Sequence, residues 1–163
     1  TGDFFTTWAN RYDSDMPRTN TEVLSEDDVF SMGDGEVVPL HLPGHTSDGM
    51  GFHIPHLSTL IVGALLPRAD RPTRWDMPGG SLVEVVDSYK RMKRLNLSSI
   101  VPLQGPAIRG ESHVREVLDR HLAFYEEAVR NEGRPPASWD RPASTAVWLT
   151  PRSPWPLEEQ EAV

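Results

Sequence analysis

An apolar segment of the chain ends abruptly in the polar loop LPGHTSDG (residues 42–49). The segment that leads into it, residues 36–42, is rich in Val and Leu and is typical of a β-strand. The Pro43-Gly44 pair marks the point where the strand gives way to the loop. A histidine at such a place can bind a metal or simply hydrogen-bond a turn. The residues alone leave both roles open for His45.

Two further segments repeat this pattern of an apolar strand that runs into a loop. They are LIVGALL (residues 60–66) and IVPLQGPAI (residues 100–108). Short apolar runs bounded by turn residues also predict strands over residues 50–54 and 59–62.

Two helices separate or follow these segments. Apolar residues recur at three- and four-residue steps over residues 81–95, which predicts an amphipathic helix, and Ser81 and Glu84 form a capping-box pair at its start. A second helix is predicted over residues 111–131, and Gly133 follows its end. The alternation of strands with helices predicts a layered α/β fold with a mixed sheet and flanking helices.

Taken in order, the three segments resemble the C-terminal half of the metallo-β-lactamase superfamily, which includes glyoxalase II and many thioesterases and lactone hydrolases. In that family one strand runs into Pro-Gly-His-Thr, whose histidine binds a metal. A later strand ends in Gly-Asp, whose carboxylate bridges two metals, and another leads to Gly-His-Gly-Pro, whose histidine binds the second metal. The resemblance covers roughly residues 23–130 and implies the family's αββα sandwich, represented here by its C-terminal half.

The resemblance implies that His45 is a metal ligand, but the other two ligand positions differ. Ala64 stands where the family has the bridging aspartate, and Gln104 stands where it has the last histidine. An amide is a poorer ligand for zinc or iron than an imidazole. The family's first motif, His-x-His-x-Asp-His, occurs nowhere in the 163 residues. A two-metal mechanism therefore cannot run on the residues of this chain alone.

The function implied by this resemblance is that of a hydrolase component acting on a thioester, ester or lactone. Its metal site would be mononuclear, holding one zinc or iron ion, and residues outside this chain would complete it. Gln104 and Asp48 are the candidate substrate-binding residues, and no catalytic residue is assigned. The alternative is a metal-free, non-catalytic descendant of the fold that binds a small ligand or a protein.

Composition excludes several other classes of function. Sixteen Lys and Arg residues against twenty-four Asp and Glu residues give a net charge of −8, the opposite of what a nucleic-acid-binding surface needs. No apolar run approaches the length of about 20 residues that spans a membrane. The absence of cysteine excludes disulfides, thiolate zinc sites and cysteine nucleophiles. We expect a cytoplasmic protein that binds neither nucleic acid nor membrane.

The chain divides by composition into three parts. Residues 1–22 are a lead-in segment, residues 23–132 the metallo-β-lactamase-like half-domain, and residues 133–163 an arm rich in Pro and Trp. Half of an αββα sandwich would leave one face of its sheet uncovered, and an exposed apolar face of that size marks an interface. We therefore expect a homo-oligomer or a complex with a second chain that carries the N-terminal half, with the arm helping to cover the face.

Other polar residues have more ordinary interpretations. His53 and His56 flank a proline and are predicted to be exposed turn residues, whereas His121 lies on the apolar stripe of the second helix and is predicted to be a satisfied, partly buried histidine. The arginines of residues 68–74 could receive an anionic substrate, although a solvated loop is the simpler interpretation. Thr1 could act as an N-terminal nucleophile, but a cut in the chain explains its position more simply.

Overall fold

The computed structural model describes residues 24–76, 78–134 and 136 of the chain. It contains six strands and two long helices, with a short 3₁₀ turn at Pro55–Leu57. In chain order the elements are β1 (Phe30–Met32), β2 (Gly35–His41), β3 (Met50–Ile54), β4 (Thr59–Val62), α1 (Leu82–Lys93), β5 (Ser99–Val101), β6 (Ile108–Arg109) and α2 (Glu111–Arg130). The lead-in segment, Thr1 and all but three residues of the C-terminal arm lie outside the described residues.

The strands form one mixed sheet in the order β1-β2-β3-β4-β5-β6. All neighbouring pairs are antiparallel except β4 and β5, which are parallel. Parallel strands need a crossover connection, and α1 supplies it between β4 and β5. This arrangement confirms the predicted α/β fold with a mixed sheet.

Both helices pack on the same face of the sheet. Alternate strand residues such as Leu60, Val62 and Ile100 are buried against the apolar stripes of α1 and α2. Within the helices, Tyr89 and Tyr125 are among the largest fully buried side chains. The hydrophobic core is therefore a single layer between the sheet and the two helices.

The opposite face of the sheet carries a row of apolar residues in cross-strand register. Pro39 pairs with Phe52, Phe52 with Ile61, and Ile61 with Val101. Because its neighbours Leu60 and Val62 point into the core, Ile61 points away from the helices, and it is 41% exposed. Among the residues that the structure describes, no helix packs on this face.

The two helices confirm the predicted helical periodicity. Helix α1 begins at Leu82, and the hydroxyl of Ser81 accepts a hydrogen bond of 3.4 Å from the backbone N–H of Glu84, as the capping pair predicts. Helix α2 ends at Arg130, and Gly133 adopts a φ of 85° just beyond it. The strand that begins the segment of residues 100–108 ends at Val101, because Pro102 cannot donate to a sheet.

Two predictions about polar residues are wrong. His53 is not in a turn but in β3, half-buried and paired with Leu60 of the neighbouring strand, whereas His56 is exposed as expected. Residues 68–74 do not form a solvated loop, because Asp70 and Thr73 are each only 1% exposed.

In the part of the chain that is described, neither helix is long and apolar enough to cross a membrane.

Candidate functional site

The three segments singled out from the sequence meet at one edge of the sheet. Strand β3 is antiparallel to both β2 and β4, and β4 is parallel to β5, so β2, β4 and β5 all end at the same edge. The loops that carry His45, Ala64 and Gln104 follow these three strand ends. Backbone hydrogen bonds from Leu103 and Gln104 to the carbonyls of Leu66 and Pro67, at 3.2 Å and 2.8 Å, join the second and third loops.

The loop after β2 is closed on itself and docked against helix α1. The backbone N–H of Leu42 donates to the carbonyl of Gly49 at 2.7 Å, and the carbonyl of Gly44 accepts from Ser81 at 2.9 Å. Gly44 has a φ of 134°, and a Cβ placed on it would lie 2.5 Å from a side-chain carbon of Val85. Only glycine allows the backbone to approach the helix this closely.

The imidazole of His45 is held through its Nδ1 atom. This nitrogen lies 2.9 Å from the carbonyl oxygen of Arg74 and 3.1 Å from the hydroxyl oxygen of Thr73. A carbonyl oxygen can only accept, so Nδ1 carries the proton and, in the neutral ring, Nε2 carries the lone pair. Metal-binding histidines are commonly oriented in this way, with the other ring nitrogen donating to a carbonyl.

The other two family positions contribute no comparable ligand. Ala64 has no ligating side-chain atom, and its backbone carbonyl accepts a hydrogen bond of 2.7 Å from the hydroxyl of Thr73. The side chain of Gln104 is exposed at the edge of the sheet. Within the described residues, no group of three His, Asp or Glu side chains could hold a metal ion. These residues therefore fit the contribution of one ligand, His45, and do not fit a complete metal centre.

Asp48 lies on the exposed rim of the same loop. A hydrogen bond from the side chain of Thr46, with a smaller contribution from its own backbone N–H, lowers the pKa of the Asp48 carboxyl. Nearby, Nε2 of His41 is 2.8 Å from the carbonyl of Ser47. Across the described part of the chain, no hydrogen bond or ion pair joins Asp48 or Gln104 to His45. The structure thus places both predicted substrate-binding residues on the same edge as His45 but not in contact with it.

Two of the three arginines of the loop between β4 and α1 form local ion pairs. Arg68 pairs with the buried carboxylate of Asp70 at 3.1 Å, and Arg74 pairs with Asp76 at 2.8 Å. The hydrogen bond from Arg74 lowers the pKa of Asp76, with a smaller contribution from the charge of the same arginine. These pairs order the segment that contacts His45.

A buried polar cluster contacts the loop between β4 and α1, and the sequence did not predict it. The hydroxyl of Tyr89 contacts both the carbonyl of Leu65 at 3.1 Å and Nδ1 of His121 at 3.2 Å, and Nε2 of His121 is 2.9 Å from the carbonyl of Ala69. His121 is fully buried, and burial lowers its pKa to about 4. Burial raises the pKa of both Tyr89 and Tyr125. The helical stripe predicted that His121 is satisfied, which is confirmed, but nothing in the sequence indicated its partners.

The arrangement of the three loops at one edge of the sheet agrees with a comparison of the sequence with models of protein families. A model of the metallo-β-lactamase superfamily matches residues 3–104. The chain belongs to this superfamily. The match begins within the segment expected to be a lead-in, and so extends further towards the N-terminus than the resemblance at residues 23–130 indicated.

One curated relative and two solved structures each match only part of this chain or of their own. It is 42% identical over 76 residues to an uncharacterized protein of Aquifex aeolicus, a match that covers 47% of this chain and 35% of the relative. ETHE1 from Myxococcus xanthus superposes with a TM-score of 0.52 at 18% identity, covering 69% of this chain and 52% of that one.

A metallo-β-lactamase from Pontibacter korlensis gives a TM-score of 0.54 at 18% identity, over 74% of this chain and 54% of that one. Likeness at this identity concerns the fold alone. The chain therefore spans about a third of its curated relative and about half of these structures.

Proposed function

We propose that this chain is the part of a metallo-β-lactamase-fold hydrolase that supplies one histidine, His45, to a mononuclear metal centre. The observation that carries the proposal is the anchoring of Nδ1 by the carbonyl of Arg74, which leaves the lone pair of Nε2 for a ligand bond. This histidine stands at the end of β2, in the Pro-Gly-His-Thr sequence of the superfamily.

The remaining ligands of such a centre come from outside the described residues. A catalytic zinc takes three protein ligands and keeps one position for water, whose pKa it lowers towards neutrality. Ala64 and Gln104 remove the two side chains that would hold a second ion, so the proposed centre contains one zinc or iron ion. The chain's own contribution is to fix His45 and to shape the edge of the sheet around it.

The proposed substrate is a thioester, an ester or a lactone. Gln104 presents an exposed amide that can donate to a substrate carbonyl and orient it, and Asp48 presents a carboxylate whose pKa is lowered by a hydrogen bond from Thr46. Both extend from loops at the edge where β2, β4 and β5 end.

The face of the sheet that no described helix covers supports an assembly with a partner. The row of Phe52, Ile61 and Val101 is apolar and lies on the face opposite the two helices. Sheets of this kind bury such faces against another layer. We propose that a second copy of this chain, or a chain that carries the rest of the fold, covers it.

A metal-free binding protein is the second candidate. The observation that favours it is the loss of two ligand positions, at Ala64 and Gln104, from the same edge of the sheet. In that case His45 has only a packing role in its loop.

The test is hydrolysis by the full native protein, purified from its own gene and analysed by mass spectrometry for every polypeptide present. Thioester, ester and lactone substrates are compared before and after treatment with a chelator. Chelator-sensitive hydrolysis of one class, restored by added zinc or iron, supports the hydrolase. Hydrolysis of no substrate, with no metal in the assembly, contradicts it and favours the metal-free candidate.

A further inference from the structure

Thr73 joins three separate parts of the fold. It lies on the loop between β4 and α1 and is 1% exposed. Its hydroxyl is 2.7 Å from the carbonyl oxygen of Ala64 and 3.1 Å from Nδ1 of His45, and its backbone N–H donates to the hydroxyl of Tyr125 at 2.7 Å. The residue thus links the start of its own loop after β4 to the loop after β2 and to helix α2.

The directions of these hydrogen bonds are fixed by chemistry. The carbonyl of Ala64 can only accept, so the single hydroxyl proton of Thr73 is committed to it. A lone pair of the same oxygen then faces Nδ1 of His45, whose proton is shared between this oxygen and the carbonyl of Arg74. The Nε2–H form of the ring would place two acceptors against an unprotonated nitrogen, which costs free energy at this half-buried position.

We propose that Thr73 is the positioning residue of His45, selecting the Nδ1–H form of its imidazole, and that Tyr125 holds Thr73 in place. Where the superfamily has a metal-bridging aspartate, this chain has Ala64, whose carbonyl instead orients the Thr73 hydroxyl. The part of this inference that concerns metal rests on the proposed function, whereas the choice of tautomer does not.

Side chains of the two helices hold the loop that carries Thr73 at two further points. The hydroxyl of Tyr89, on α1, contacts the carbonyl of Leu65, and His121, on α2, contacts the carbonyl of Ala69. The ring of Tyr89 stacks on that of His121 at a centroid distance of 5.6 Å. Both helices therefore contribute to the position of Thr73, and polar networks of this kind favour a single arrangement.

The test compares the wild type with Thr73→Val, which removes the hydroxyl at nearly constant volume, and with Thr73→Ser, which keeps it. The first measurement is the tautomer of His45, from long-range ¹H–¹⁵N spectra of the metal-free native protein at a pH where the ring is neutral. The second is the zinc affinity of the same proteins. Tyr125→Phe is the further variant, needed if Thr73→Val does not fold.

We expect the wild type and Thr73→Ser to hold His45 in the Nδ1–H form. In Thr73→Val the ratio of Nδ1–H to Nε2–H forms should fall roughly fivefold, and zinc affinity should fall about 10- to 100-fold. Tyr125→Phe should shift the ratio in the same direction.

The inference is overturned if the wild type holds His45 in the Nε2–H form. It is also overturned if neither Thr73→Val nor Tyr125→Phe changes the ratio of Nδ1–H to Nε2–H forms from its wild-type value. A serine variant that behaves like the valine variant also overturns it, since the hydroxyl would then be irrelevant. If the tautomers change as expected but the wild type binds no metal, the positioning role is supported and the proposed metal function is contradicted.

Discussion

The hydroxyl of Tyr125 accepts a hydrogen bond of 2.7 Å from the backbone N–H of Thr73, 52 residues away in the chain. Both residues are buried, so the bond ties helix α2 to the loop that contacts His45 inside the core. A buried backbone N–H without a partner is costly, and in this structure the only partner of this N–H among the described residues is a side chain.

Replacing Tyr125 by Phe is expected to destabilise the protein by about 1–3 kcal/mol, because the N–H of Thr73 loses its acceptor inside the core. Urea denaturation of the two proteins measures the difference. Ser98→Ala serves as the control, since its hydroxyl makes only long contacts of 3.3 Å and 3.4 Å outside the core, and a change of less than about 0.5 kcal/mol is expected. Equal stabilities of Tyr125→Phe and wild type would contradict this account of the bond.

Gly44→Ala is expected to cost at least about 2 kcal/mol of stability, because the new methyl group would overlap the backbone of α1 at Val85 as well as its side chain. Gly33→Ala is the control that separates the cost of steric overlap from the cost of backbone strain. Gly33 also has a positive φ, 61°, but a Cβ there meets nothing within 4 Å, so only about 1 kcal/mol is expected. Similar losses in the two variants would show that the close approach to α1 is unimportant.

Stability should fall as the pH drops from 6.5 towards 4. Burial lowers the pKa of His121 from 6.5 to about 4, so in this range the unfolded chain binds a proton that the folded chain does not. The unfolded state is therefore favoured at lower pH, by about 3 kcal/mol over the whole window. Burial also lowers the pKa of His53, which adds a contribution of the same sign.

The measurement is the free energy of unfolding against pH for the wild type, His121→Gln and His53→Gln. His121→Gln loses hydrogen bonds as well as the titrating ring, so its absolute stability changes for two reasons. The informative quantity is therefore the slope of its free energy of unfolding against pH. We expect the slope to decrease most in His121→Gln and less in His53→Gln. An unchanged slope in His121→Gln would exclude His121 as its source.

Ile61→Glu should prevent association through the face of the sheet opposite the two described helices, since a carboxylate in the middle of an apolar interface is not compensated. Sedimentation of the wild type and the variant at micromolar concentration is the measurement. Val83→Glu is the matched control, because Val83 is 63% exposed on helix α1 and lies away from this face. A monomeric wild type would contradict the predicted assembly.

Local patterns predicted the elements of the fold but not the contacts between them. The apolar steps of residues 81–95 and 111–131 and the Ser81 cap identified α1 and α2, because these signals lie within a few residues of one another. Thr73 gave no such signal. Its partners are Tyr125, on a distant helix, His45, 28 residues away on another loop, and a backbone carbonyl, which carries no sequence information.

For the polar residues of the site, too, the sequence predicted local position but not tertiary contacts. The position of His45 after a strand and a Pro-Gly turn followed from the sequence, but the groups that orient its ring did not. His53 was assigned to a turn because Pro55 lies two residues beyond it, although it falls within the strand predicted over residues 50–54, where it pairs with Leu60 of β4. Tertiary pairing outweighed a local turn signal there.

The most direct test of the central claim is the zinc and iron content of the full native protein, measured for the wild type, His45→Ala and His56→Ala. His56 is exposed on the 3₁₀ turn and serves as the control for removing a histidine. We predict about one ion per assembly in the wild type and in His56→Ala, and a loss of at least about tenfold in His45→Ala. Equal metal content in all three proteins, or none in any of them, would contradict the claim that His45 binds the metal.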